Sequence, residues 1–256
     1  MLIQDIGQSL RNYCTTITLG GLETIDGTRG LIVPAHSVAQ TKQSDISSDP
    51  TDVLIGNRRD RNPRTLSHLL GKVFKMPSTR VEGEKKILSV DAAFVKYPSP
   101  QTPGCSLKWQ KDGESFCLDD TDKNDYIDRI TPLTIRGRDG DTYRVVGSKE
   151  PVGGLEVTYS GASSGPGEKI GNVVGEKILT IKEERNLYSY DYYTNISLGS
   201  IGGDSDSPVY TTPDTHGNVH IVGVLVEYLF VHNSKRTLFS SWSDVVDEFN
   251  LKPISP

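Results

Sequence analysis

Short apolar runs, separated by clusters of Gly, Pro, Asn, Asp and Ser, dominate the chain from end to end. Runs this short suit strands better than helices, so the pattern predicts an all-β protein. In the first half the expected strands are 14–19, 30–33, 53–55, 72–75 and 87–97. In the second they are 131–136, 143–146, 155–159, 172–181, 208–211, 220–227 and 237–240. The loops between them carry Gly20-Gly21, Asp26-Gly27, Arg138-Asp139-Gly140-Asp141 and Ser163-Ser164-Gly165-Pro166-Gly167, residues suited to tight turns.

The two groups of about six strands are joined by a polar stretch, 98 to about 128, that reads as strand-poor. That arrangement predicts two barrels or sandwiches in series. Helix is expected at the C-terminus, over 242–251, where Trp242, Val245, Val246 and Phe249 share one face. Ser241 and Asp244 there resemble a capping box. A weaker helical pattern runs through Leu2, Ile3, Ile6 and Leu10.

Composition adds bounds rather than detail. The 256 residues suffice for a two-lobed domain; 35% are hydrophobic and 24% charged, which is ordinary for a globular protein. A net charge of −5 gives no reason to expect nucleic acid as a partner. No run reaches the roughly 20 apolar residues that cross a bilayer, so no membrane association is expected. The first thirteen residues carry Gln4, Asp5, Gln8 and Arg11 where a secretory leader has its apolar core. The chain is therefore expected either to act inside the cell or to be a processed form. Of the three cysteines, Cys105 and Cys117 bracket a polar loop and would suit a local disulfide, although an odd count fits a reduced protein equally well. No CxxC spacing exists, and neither metal nor cofactor is expected.

Chemistry concentrates in three segments. Ser200-Ile201-Gly202-Gly203-Asp204-Ser205-Asp206-Ser207-Pro208-Val209 has the character of a tight turn that exposes a serine. Backbone N–H groups of Gly203 and Ser205 there are candidates to bind an oxyanion. The plain alternative is a hairpin loop. Serine needs a base, and of the five histidines His36 is the best placed, where the apolar run 30–35 gives way to a polar loop. His216 and His220 flank a solvated turn, and His68 and His232 have no supporting pattern. An imidazole used as a base is held by a buried carboxylate. Asp91 sits in Leu88-Ser89-Val90-Asp91-Ala92-Ala93-Phe94-Val95, a charge inside an apolar run that needs a partner.

Taken together, these segments resemble the chymotrypsin-like (trypsin-type) serine peptidases, with loops closer to the bacterial streptogrisin-like members. Val33-Pro34-Ala35-His36 is similar to that family's T-A-x-H, Asp91-Ala92-Ala93-Phe94-Val95 to its D-[IA]-A-[LF]-[VI], and Gly203-Asp204-Ser205-Asp206-Ser207-Pro208-Val209 to G-D-S-G-G-P-V. The resemblance implies two six-stranded antiparallel β-barrels with a C-terminal helix, the first lobe spanning 1–115 and the second 116–256. It implies a monomeric endopeptidase acting on protein or peptide substrates, and it favours secretion. Ser205 would be the nucleophile, His36 the base and Asp91 its orienting acid, with Gly203 and Ser205 forming the oxyanion hole. Val226, Glu227 and Tyr228 would bind substrate. Asp204 would be buried and paired with a cation, for which Arg136 or Arg138 is the candidate.

The departures from the family pattern are local. Asp206 and Ser207 replace two glycines, placing a carboxylate beside the nucleophile. Ser37 stands where a cysteine often follows the histidine. Val226-Glu227-Tyr228 replaces S-W-G, and Tyr228 is expected to narrow the primary specificity pocket. These substitutions sustain a second reading, a catalytically weak or inactive module that holds a peptide strand. A third is an unrelated binding β-sandwich.

Overall fold

The computed structural model describes residues 2–4, 13–15, 22–38, 52–56, 68–96, 107–111, 114–118, 134–136, 141–161, 165–166, 169–182, 187–200, 204–205, 207–231 and 233–252. In them the all-β architecture with a terminal helix is as expected. The first half supplies β1 (Leu2–Gln4), β2 (Tyr13–Thr15), β3 (Leu22–Glu23), β4 (Arg29–Val33), β5 (Asp52–Gly56) and β6 (His68–Lys75). A hairpin of β7 (Thr79–Glu82) and β8 (Lys85–Leu88) follows, then β9 (Ala93–Lys96). Seven of these strands form one sheet in the order β2-β1-β5-β6-β9-β4-β3.

Beyond a separate hairpin of β10 (Leu107–Lys111) and β11 (Glu114–Leu118), the chain builds its second sheet. The strands are β12 (Thr134–Arg136), β13 (Thr142–Ser148), β14 (Glu156–Gly161), β15 (Gly165–Pro166) and β16 (Gly171–Lys182). They continue with β17 (Leu187–Thr194), β18 (Pro208–Thr211), β19 (Asn218–Val231) and β20 (Ser234–Ser241). This sheet has eleven strands because β7 and β8 join it, β8 running parallel to β17. Among the described residues there are two short helices, α1 (Ala35–Val38) and α2 (Trp242–Phe249).

Four local expectations need correction. Leu2–Gln4 is a strand held between β2 and β5, so cross-strand pairing overrides the helical spacing of Leu2 and Ile3. The stretch read as strand-poor contains the β10–β11 hairpin, in which Trp109 pairs with Phe116. The single strand expected over 87–97 is broken into β8 and β9, because the chain bends across 89–91. Ser241 makes no side-chain cap for α2; its hydroxyl meets that of Ser243 at 2.7 Å, and Asp244 instead pairs with Lys177 at 2.7 Å. Cys105 and the side chain of Cys117 lie outside the described residues, as does the link between them. Among the described residues no helix is long and apolar enough to cross a membrane.

Among the described residues two apolar clusters hold the sheets together. One joins Ile32, Val90, Ala92 and Phe94 of the first half to Ile135, Val145, Tyr210, Ile221 and Val224 of the second. The same cluster takes in Trp242, Val245 and Phe249 from the inner face of α2. Burial of this much apolar surface, at about 25 cal/mol per Å2, welds the halves far more strongly than polar contacts would. The other cluster, with Tyr159, Leu198, Val209, Val222, Leu225 and Phe239, fills the second barrel. Strand β19 is buried on both faces from Ile221 to Val226 and feeds both clusters.

A polar clamp fixes α2 to the first half. Glu248 accepts hydrogen bonds from the Ser78 N–H at 2.9 Å, the Ser78 hydroxyl at 2.8 Å and the Ser89 hydroxyl at 2.6 Å. Lys75 Nζ donates to the Glu248 carbonyl. Partial burial works against charge on Glu248, but the Ser89 and Ser78 donors and the Lys75 ammonium outweigh it and hold its pKa below the usual carboxylate value. A depressed pKa means that the stabilisation is present at neutral pH and fades as pH falls through the folded-state value, below about 4.5. Glu248→Gln is therefore expected to cost about 1 kcal/mol at pH 7. Urea titrations should show that difference closing towards pH 3; an equal difference at both pH values would contradict the clamp.

Candidate active site

The meeting of His36 and Asp91 follows from strand register. Strands β4 and β9 are antiparallel, with Val33 opposite Ala93. The residues just after Val33 and just before Ala93 therefore leave the sheet at the same end. Pro34, which has no N–H to continue a ladder, ends β4, and His36 falls in the single turn of α1. Asp91 lies in the bend before β9.

There His36 Nδ1 lies 2.7 Å from Asp91 Oδ2, and the His36 backbone N–H donates to Asp91 Oδ1 at 2.9 Å. The Asp91 side chain is fully buried, whereas that of His36 retains 23% of its surface. A sealed carboxylate that takes two N–H groups from one residue permits one ring orientation. With the proton on Nδ1, the Nε2 lone pair is left as the ring's acceptor.

Ser205 occupies the second position of a tight turn closed by Ser207 N–H donating to Asp204 O at 3.0 Å. It is half-buried, between the sealed Asp204 and Ser207. Strand β18 then begins, with Pro208 opposite Val224 of β19. Val224 is in turn opposite Ser240 of β20, whose hydroxyl accepts the Asp91 N–H at 3.3 Å. The start of β18 and the anchor of Asp91 thus flank one residue of β19, two strand spacings or roughly 10 Å apart. Among the described residues Ser205 makes no hydrogen bond to His36; the two are related by strand position. Gly203 and Asp206 lie outside the described residues, and with them the expected oxyanion N–H of Gly203.

Asp204 is fully buried, as expected, and accepts from the Tyr159 hydroxyl at 3.5 Å. The side chains of Arg136 and Arg138, its expected cation partners, lie outside the described residues. Gly161 passes so close that an added Cβ would stand 2.4 Å from Asp204 Oδ1.

Of the expected substrate-binding residues, Val226 is completely buried and sits where the β19–β20 register slips between Leu225 and Glu227. Its side chain is sealed from solvent; its backbone follows Leu225, whose N–H donates to Ser207 O at 2.8 Å, and pairing with β20 resumes at Glu227 opposite Leu238. Glu227 is half-buried. Tyr228 is 43% exposed, with Lys235 Nζ 3.8 Å from its ring centroid. His216 and His220 flank the β18–β19 turn, where Asp214 Oδ1 accepts the N–H groups of His216 and Asn218. Ser240 was not a candidate from sequence, since nothing in the run Leu238-Phe239-Ser240-Ser241 marks one serine for Asp91. Among the described residues no group of three or more His, Cys, Asp or Glu side chains is placed to hold a metal.

No protein-family model and no curated protein sequence matches the chain. Solved structures do. The chain is similar to Nocardiopsis protease (TM-score 0.53, 16% identity, 98% of both chains covered). It is equally similar to Thermobifida fusca protease A (TM-score 0.53, 16% identity, 99% of this chain and 100% of the other). A glutamic acid-specific serine protease aligns at TM-score 0.51 and 12% identity, over 98% of this chain and 96% of its own. The fold is that of the bacterial chymotrypsin-like serine proteases, two barrels with a terminal helix.

Gly161→Ala tests how closely the turn around Ser205 is braced from behind. The clash with Asp204 is expected to cost about 2 kcal/mol or more. Calorimetry reads it; a variant that melts with the parent would remove the brace.

Proposed function

We propose that this chain, built on the chymotrypsin-like serine protease fold, is a serine endopeptidase with His36, Asp91 and Ser205 as its triad. The observation that carries the reading is the His36–Asp91 couple, 2.7 Å from Nδ1 to Oδ2 with the carboxylate sealed from water. A neutral imidazole so held keeps its Nε2 free. It takes the Ser205 hydroxyl proton as Oγ attacks the scissile carbonyl carbon, and returns that proton to the leaving amine. Water then repeats the sequence on the acyl-enzyme. Asp91 stabilises the imidazolium formed in each half-reaction and stays ionised throughout.

The N–H groups of Gly203 and Ser205 are assigned to the oxyanion. The peptide main chain is assigned to the β19 edge at Val226, Glu227 and Tyr228, adding a strand beside it. Tyr228, supported by Lys235 and by an edge-on contact with Phe230 at 6.2 Å, would border the pocket for the residue preceding the cut.

A fluorophosphonate probe is expected to modify the protein stoichiometrically at Ser205, as read by peptide mass spectrometry, and to leave Ser205→Ala unlabelled. Asp91→Asn should hold His36 in the wrong tautomer and lower kcat by about 10^4-fold with the fold intact. Folded, inhibitor-free protein that takes up no label would turn the assignment to a peptide-holding module without hydrolysis.

A further inference from the structure

The second barrel buries a carboxylate that the proposed mechanism does not use. Asp191 lies on β17 with no exposed surface, on the inward face that also carries Leu187 and Ser189. Its Oδ2 accepts hydroxyl hydrogen bonds from Thr180 and Ser189, both at 2.6 Å. Its Oδ1 accepts the Ser240 hydroxyl at 2.9 Å. The three donors come from β16, β17 and β20, so the carboxylate ties three strands together.

Ser240 has one hydroxyl proton, and that proton goes to Asp191. Towards the Asp91 backbone N–H, 3.3 Å away, the Ser240 oxygen can only accept. The polarity of the whole chain is thereby fixed: Asp91 N–H to Ser240 Oγ, Ser240 O–H to Asp191. Without a buried acceptor the serine hydroxyl would be free to turn its proton towards Asp91 N–H, donor against donor. An apolar residue at 191 would fill the space without setting that direction.

We infer that Asp191 is a positioning residue for the His36–Asp91 pair, acting through the Ser240 hydroxyl. It fixes the backbone of Asp91, and with it the carboxylate that orients His36. The inference rests on the reading of His36 as base and Asp91 as its orienting acid, and concerns alignment rather than chemistry at the scissile bond.

The test is a double-mutant cycle on the full chain. Asp191→Asn preserves shape but replaces one acceptor oxygen by an NH2 donor, which disturbs the hydroxyls it faces. Ser240→Ala deletes the relay. Each is expected to lower kcat about tenfold, with KM unchanged within about twofold, and the double variant to be no worse than the poorer single. Ser240→Thr, which keeps the hydroxyl, should restore most of the loss. Independently of turnover, the low-field NMR resonance of the His36 Nδ1 proton should shift or broaden in both single variants and return in Ser240→Thr.

If Asp191→Asn does not fold, Thr180→Val takes its place in the cycle, since it loosens the Asp191 carboxylate without touching Ser240. Additive losses, or folded single variants with unchanged kcat and an unmoved Nδ1 resonance, overturn the inference. A parent protein with no peptidase activity, whose Nδ1 resonance still moves in Ser240→Ala and Asp191→Asn, would sink the hydrolase reading while sustaining the positioning role.

Discussion

A carboxylate removed from water dictates how the two halves of this chain must meet. Asp91 has no exposed side-chain surface and accepts two N–H groups from His36. Leaving such a group unpaired would cost several kcal/mol, so the loop after β4 and the bend before β9 are held in one relative position. The register of Val33 against Ala93 makes that position reachable. The Asp91 backbone then turns to Ser240, which belongs to the other sheet. One residue thus fastens the end of the first barrel to the interior of the second.

The apolar core makes that fastening rigid. The cluster that contains Val90, Ala92 and Phe94 also contains Val224 and Trp242, so the segments on either side of Asp91 cannot shift without disturbing the second sheet. Helix α2 closes the cluster from below and is itself pinned to Ser78 and Ser89 through Glu248. Ser89 lies two residues from Asp91, so the clamp on the helix and the bend that aims the acid are one structural unit. The close approach of Gly161 to Asp204 does the corresponding job behind the serine.

Much of this was legible in residue order because its causes are local. A histidine where an apolar run ends, an acid within an apolar run and a serine in a Gly/Asp/Ser turn each stand out against their neighbours. Strand β17 did not stand out. Its inward positions are Leu187, Ser189 and Asp191, its tyrosines alternate with them, and its hydropathy is flat. The polar residues there are buried because they satisfy one another across β16 and β20, which is a property of register and not of any window along the chain. The β10–β11 hairpin was hidden in a similar way, its apolar residues diluted by Lys, Asp, Gly and Ser. The break between β8 and β9 is likewise tertiary: Val90 and Ala92 would serve a strand well, and the pairing of Asp91 with His36 and Ser240 bends them out of it.

The same energetics bear on the choice between hydrolysis and simple peptide holding. A module that only adds a peptide strand to the β19 edge needs main-chain N–H and C=O groups and a place for side chains. It has no use for an ionisable couple in its interior. Replacing a buried charged group and its partners by apolar side chains of similar volume is commonly neutral or stabilising, so stability alone does not account for a carboxylate at position 91. Nor does packing call for Asp191 and the hydroxyls of Thr180, Ser189 and Ser240, all sealed from solvent at positions where Val, Ala or Leu would serve. A buried carboxylate tied through one serine hydroxyl to the backbone of a second buried acid is a costly way to fill a β-barrel. That arrangement, behind a partly exposed histidine, is what the proposed proton transfer would require and what a strand-gripping module would not.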